Sequence, residues 1–87
     1  MTTYRIPASV LRANLEAEEV LLNTDTGQYH VLNETGRGVV SSLEAGGTPG
    51  DAAVDLATST GAPLDRVRGD VETFVQALVE RGLLDVS

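Results

Sequence analysis

The apolar positions of this chain change their period about a third of the way along. Val20-Leu21-Leu22 and Tyr29-His30-Val31-Leu32 are short apolar runs on either side of the polar segment Asn23-Thr24-Asp25-Thr26-Gly27-Gln28. That segment has turn chemistry, because Asp tolerates unusual backbone geometry and glycine takes a positive φ without a Cβ clash. The pattern predicts a β-hairpin with strands near 18–23 and 28–32. Tyr4-Arg5-Ile6-Pro7 reads as a further short strand; Pro7 cannot donate to a ladder and belongs at a sheet edge or a strand end. Ala8 to Ala17 is open, since Val10, Leu11 and Leu15 suit either a strand or a short turn of helix.

After Asn33 the period becomes about 3.6. Asn33 is a good N-cap, Val39, Val40 and Leu43 mark one helical face, and Gly46-Gly47 ends it. Thr48-Pro49-Gly50-Asp51 restarts a helix: threonine caps, proline takes the first helical position, and Asp51 stands at capping-box spacing. Ala53, Val54, Leu56 and Ala57 supply its apolar side, and Gly61 its end. In a third helix Val67, Val71, Phe74, Val75 and Leu78 form one apolar stripe, with Pro63 in the first turn and Gly82 at the C-terminus. Gly69 inside it costs about 1 kcal/mol relative to alanine. Close helix packing there would account for it; otherwise the position has no use. Leu83-Leu84-Asp85-Val86 is expected to fold back onto the core. Strands first, then three helices on short turns, make one α+β domain over residues 1–87.

Composition narrows the partners. With 87 residues, 41% of them apolar, the chain supports one modest core and is not disordered. No apolar run approaches the roughly 20 residues of a bilayer span, and Met1-Thr2-Thr3-Tyr4-Arg5 lacks the charged and apolar parts of a secretory signal. A soluble cytoplasmic protein is the simplest reading, with no membrane partner. Thirteen acids stand against six bases, for a net charge of −7. Every base is arginine, the usage of a GC-rich bacterial genome. Arg66, Arg68 and Arg81 alternate with Asp65, Asp70, Glu72 and Glu80 instead of forming a basic face, which argues against nucleic acid.

The residues for catalysis are scarce. Cysteine is absent, so disulfides, thiolate metal sites and cysteine nucleophiles are excluded. The one histidine, His30, has no Gly-x-Ser-x-Gly serine to serve, and a lone strand histidine is ordinarily a solvated or packed side chain. Glu16, Glu18 and Glu19 lack the glycine and spacing of a calcium loop and read as a solvated acidic rim. Gly36-Arg37-Gly38 is not followed by lysine, so these glycines read as helix-packing positions rather than a phosphate loop. No enzyme, metal or cofactor is implied.

Binding remains. A sheet of two or three strands leaves unpaired backbone groups at an edge. An extended peptide can add itself there as a further strand, its side chains entering flanking pockets. Gln28 to Leu32, unbroken by proline, is the candidate edge, and the third helix the opposing wall of a groove.

The run Leu22-Asn23-Thr24-Asp25-Thr26-Gly27-Gln28-Tyr29-His30-Val31-Leu32-Asn33-Glu34-Thr35-Gly36 resembles the PqqD-like family, also called RiPP recognition elements. The likeness continues through Leu43-Glu44-Ala45-Gly46, Asp70-Val71, Phe74-Val75, and Leu78 to Gly82-Leu83-Leu84, and covers about 18 to 84. It implies a winged helix-turn-helix-like fold, a small three-stranded antiparallel sheet followed by three helices. It also implies non-catalytic capture of the leader segment of a ribosomally made precursor peptide, added to the third strand against the third helix. The chain is most similar to freestanding members serving lasso-peptide biosynthesis, whose partners are a separate leader peptidase and, as a further candidate, a cyclase. Two alternatives stand beside it: a PqqD-type peptide chaperone for quinone-cofactor biosynthesis, and a winged-helix DNA-binding protein.

Carried over by position, the peptide-binding residues are Gln28, Tyr29, His30, Val31 and Leu32 on the strand and Val71, Phe74, Val75 and Leu78 on the helix. Strand alternation sends Tyr29 and Val31 to one face and His30 and Leu32 to the other, without saying which meets the peptide. An apolar helix stripe is usually core, so about two of the four helix residues are assigned to the groove. Leaders in such systems tend to carry Tyr-x-x-Pro, and Arg66, Arg68 or Arg81 would be available to acidic leader residues.

Overall fold

The computed structural model describes residues 2–87. Within them lie β1 (Tyr4–Arg5), β2 (Val10–Leu15), β3 (Glu18–Asn23), β4 (Tyr29–Leu32), α1 (Glu34–Glu44), α2 (Pro49–Thr60), α3 (Leu64–Glu80) and β5 (Asp85–Val86). Asn23 closes the β3–β4 hairpin from both sides. Its N–H donates to the Gln28 carbonyl at 2.8 Å, its carbonyl accepts from Gly27, and its side-chain Oδ1 accepts from the N–H groups of Asp25 and Thr26. Gly27 takes φ +78° in the loop, as the turn chemistry requires.

The open segment 8–17 forms β2, antiparallel to β3, so the sheet order is β2-β3-β4 with β4 at an edge. The expected α+β plan of three antiparallel strands followed by three helices is present. A second sheet joins the chain ends: Tyr4 pairs with Val86 and Arg5 with Asp85. The tail does fold back, burying Leu83 and Leu84 beneath this pairing. Pro7 lies outside both sheets, just beyond β1.

The helix ends follow their capping residues. Asn33 Oδ1 accepts from Gly36 N–H at 2.8 Å at the start of α1, and Thr48 and Asp51 form a reciprocal capping box on α2. Pro63 is the N-cap residue of α3, in extended conformation, rather than part of its first turn. Leu21 and Leu32 on the inner sheet face pack into one cluster with Val40, Leu43, Leu78 and Leu83.

Two expectations, at Gly38 and Glu19, are corrected by packing. A Cβ at Gly38 would meet nothing within 4 Å, so it serves no close helix contact; the same holds at Gly69, which decides between its two readings against close packing. Gly36 does serve such a contact: a Cβ there would stand 3.3 Å from Phe74 and 3.4 Å from Leu32. Glu19 is not part of a solvated rim. It points inward from β3, 6% exposed, and receives Arg12 Nε and Nη2 at 3.1 and 3.2 Å, while Arg12 Nη1 reaches Glu44 at the end of α1. Burial of a carboxylate demands such a partner, and the fork ties the sheet to α1.

Candidate functional site

The phase of the β3–β4 ladder decides which backbone groups of β4 are free. Antiparallel pairs alternate between those that exchange hydrogen bonds and those that do not. Asn23 and Gln28 are bonded, so Leu21–His30 and Glu19–Leu32, each two residues further, are the bonded pairs as well. The N–H and C=O groups of Tyr29 and Val31 therefore point away from β3, along the open edge. A chain laid beside β4 would find these donors and acceptors spaced for a further strand.

Side chains alternate with the same period. His30 and Leu32 face the helices; Tyr29 and Val31 face outward, 62% and 44% exposed. Beside the edge, a cavity of about 270 Å³ opens between β4, α1 and α3, with His30, Leu32, Gly36, Val39, Val71 and Phe74 among its lining. Gly36 gives it depth, since a side chain there would fill the space against Phe74. Leu56 of α2 and Asp70 of α3 complete the far end. A second, more open recess of about 490 Å³ continues along the strand over Gln28, Tyr29 and His30 to Arg81.

Of the residues expected from sequence, the structure brings His30, Val31, Leu32, Val71 and Phe74 to the first cavity and Gln28 and Tyr29 to the second. Val75 and Leu78 are core residues, 5% and 0% exposed, and line neither. Arg66 and Arg68 line neither as well. Gly36, Val39, Leu56 and Asp70 were not among the expected site residues, because only the packing of three helices brings them to β4.

His30 is the polar hinge between the two recesses. Its ring stands edge-on to Phe74, centroids 5.7 Å apart, and Arg81 Nη1 donates to Nδ1 at 2.8 Å. Nδ1 is thus the acceptor, and the proton of the neutral ring sits on Nε2. Burial, and then the charge of Arg81, lower the His30 pKa below its usual value. The ring is consequently neutral at pH 7. Arg81 also approaches the outward Tyr29 carbonyl at 3.5 Å.

The outer sheet face is uncovered. Cross-strand registers align Leu11, Leu22 and Tyr29 in one row and Ala13, Val20 and Val31 in the next, with Leu15 beyond. Leu11 and Leu15 are 60% and 56% exposed. Together these side chains form an apolar strip on the outer face of the sheet.

A family model described as coenzyme PQQ synthesis protein D (PqqD) matches residues 18–84. Two solved structures are similar over nearly the whole chain. One is TbiB1 in complex with the TbiA(beta) leader peptide, 30% identical, covering 93% of this chain and 94% of that one, with a TM-score of 0.81. The other is lasso peptide synthetase B1 complexed with the leader peptide, 27% identical, covering 94% and 96%, with a TM-score of 0.84. No curated protein matches the sequence.

Proposed function

The chain belongs to the PqqD family, and from that premise we propose that it captures the leader of a ribosomally made precursor peptide for lasso-peptide biosynthesis. The leader lies on β4 as a fourth strand of the sheet, and residues 1–87 act as one leader-binding domain. The open edge at Tyr29 and Val31 beside an apolar cavity is the observation that carries this reading. Main-chain bonds to that edge give affinity, and alternate peptide side chains enter the recess walled by Val71 and Phe74, which gives selectivity.

The role is holding rather than bond-making. A separate leader peptidase performs the cleavage, and the apolar outer face offers it a place to dock, contiguous with the held strand. The peptide's other side chains emerge on that same face, beside Tyr29 and Val31, so the enzyme meets domain and substrate together. Net charge −7 and the lack of a basic face disfavour the DNA-binding alternative.

A titration with a labelled peptide containing Tyr-x-x-Pro, and with its Tyr-to-Ala control, tests the reading. Saturable binding at micromolar concentration or tighter, about −8 kcal/mol, and lost in the control, supports it. Absence of binding at high micromolar concentration overturns the lasso assignment and directs the same assay to a quinone-cofactor precursor.

A further inference from the structure

Arg81 follows the last residue of α3, and its charge has no carboxylate partner among the described residues. The ion pairs there engage Arg5 and Arg12 instead. A cation at a helix C-terminus is favourable in itself. That alone would leave the side chain in solvent, yet its guanidinium is laid across β4, bonded to an imidazole nitrogen and close to a strand carbonyl. Both are neutral acceptors, weaker partners for guanidinium than a carboxylate.

The rest of the groove has the opposite sign. Among the described residues Arg81 is the one cationic side chain along the two recesses, His30 being neutral, while Asp70 stands at the other end of the first. Beyond Asp70 the surface continues between α1 and α2, past Glu34 and Asp55. Arg81 stands eleven positions beyond Asp70, about 16 Å along the axis of α3 at about 1.5 Å per residue. An extended peptide covers that length with about five residues. The groove is a short dipole, positive beside Tyr29 and negative beside Leu32 and Asn33.

We propose that Arg81 selects an acidic side chain in the captured peptide, at the Tyr29 end of β4, and that the Asp70 end excludes one. The proposal rests on the strand-addition reading and adds the charge order of the substrate. Arg81 also stands beside the edge. An incoming strand needs the Tyr29 carbonyl for one of its own N–H groups, and the guanidinium lies 3.5 Å from that oxygen. A peptide Asp or Glu there supplies the guanidinium with a stronger partner than either neutral acceptor.

Selection from a random display library of fifteen-residue peptides on the immobilised full chain tests this. Enriched sequences are expected to carry Asp or Glu at one fixed column. Arg81→Gln flattens that column, and Arg81→Glu turns it to Lys or Arg. Replacing the selected acid by its amide weakens binding to the unaltered protein about 5- to 30-fold, and that loss disappears on Arg81→Gln. Because the amide exchange is made in the peptide, the loss on the unaltered protein does not depend on how any variant folds. Enrichment without an acidic column, or an unchanged consensus on Arg81→Gln, overturns the role of Arg81 while peptide capture stands. No enrichment at all overturns both.

Discussion

Asn23 Nδ2 donates to the carbonyl of Gly82 at 2.9 Å, joining the end of β3 to the second residue beyond α3 across 59 positions of sequence. Gly82 has φ +70°, and a Cβ on it would stand 2.6 Å from that nitrogen. The pair sets the distance between the hairpin and the C-terminus of α3, and so the width of the groove near Arg81. Asn23→Ala removes this bond together with the acceptor for Asp25 and Thr26. Loss of buried hydrogen bonds of this kind costs about 2–3 kcal/mol. Thermal unfolding should shift down by about 10 °C or more for a domain of this size.

The ladder phase yields a contrast between neighbouring prolines. The His30 N–H is spent on β3, whereas the Val31 N–H faces the open edge. His30→Pro should lower the melting temperature by deleting a ladder bond. Val31→Pro should leave it within a few degrees and reduce peptide affinity about tenfold or more, by removing a donor from the edge. Calorimetry and a binding titration on the two variants separate these outcomes. Equal peptide binding by Val31→Pro and the unaltered chain would exclude strand addition.

Some parts of this fold are written locally, and these are the parts legible in the sequence. Asn33, the Thr48–Asp51 box and the stripe from Val67 to Leu78 act within a turn or two of helix, so caps and period identify them. The pairing of β1 with β5 unites two-residue strands at opposite chain ends, too short to carry any period. The sheet's faces are obscured for another reason. Val20 and Leu22 are apolar but face outward, while Glu19 and Asn23 are polar and face the helices. Alternation cannot orient a strand that carries apolar residues on its outward face and polar ones on its inward face. The burial of Glu19 depends on Arg12 from the neighbouring strand and has no local sign. For the site, family likeness marked β4, Val71 and Phe74, whereas Gly36, Leu56 and Asp70 arrive through tertiary packing.

Gly36→Ala probes the depth of the cavity. The new methyl would sit 3.3 Å from Phe74 Cζ, tighter than ordinary contact, and 3.4 Å from Leu32 Cδ2, at its lower limit. Alanine gains up to about 1 kcal/mol of helix propensity, which offsets the crowding, so stability should change little. Phe74 is the freer neighbour and gives way into the recess. Peptide affinity should fall about 3- to 10-fold with the melting temperature nearly constant, measured by titration and thermal unfolding on one sample.

Leu11→Asp and Leu15→Asp test the outer face. Both side chains are mostly exposed, so stability should stay within about 0.5 kcal/mol. Neither residue lines the groove, and leader binding should be unchanged. Cleavage of the leader by the partner peptidase should slow in the presence of either variant. Undiminished cleavage would remove the outer face as the docking surface.

His30 makes the groove sensitive to mild acid. Its folded-state pKa lies below the ordinary imidazole value of about 6.5, through burial first and the charge of Arg81 second. The folded protein therefore binds fewer protons than the unfolded chain between that lowered pKa and 6.5. Stability from this group is fully present above 6.5 and is lost as pH falls through the window beneath it. Protonation also turns the Nδ1 acceptor into a donor, leaving imidazolium facing the Arg81 guanidinium, with Asp70 the acid on the other side of the recess. The peptide edge should loosen at its Tyr29 end as a result. His30→Gln keeps a polar side chain that does not titrate in this range. Thermal unfolding and peptide titrations at pH 7.5 and 5.5 should show a larger decline for the unaltered chain than for the variant, whereas matching declines would assign the acid sensitivity to the carboxylates instead.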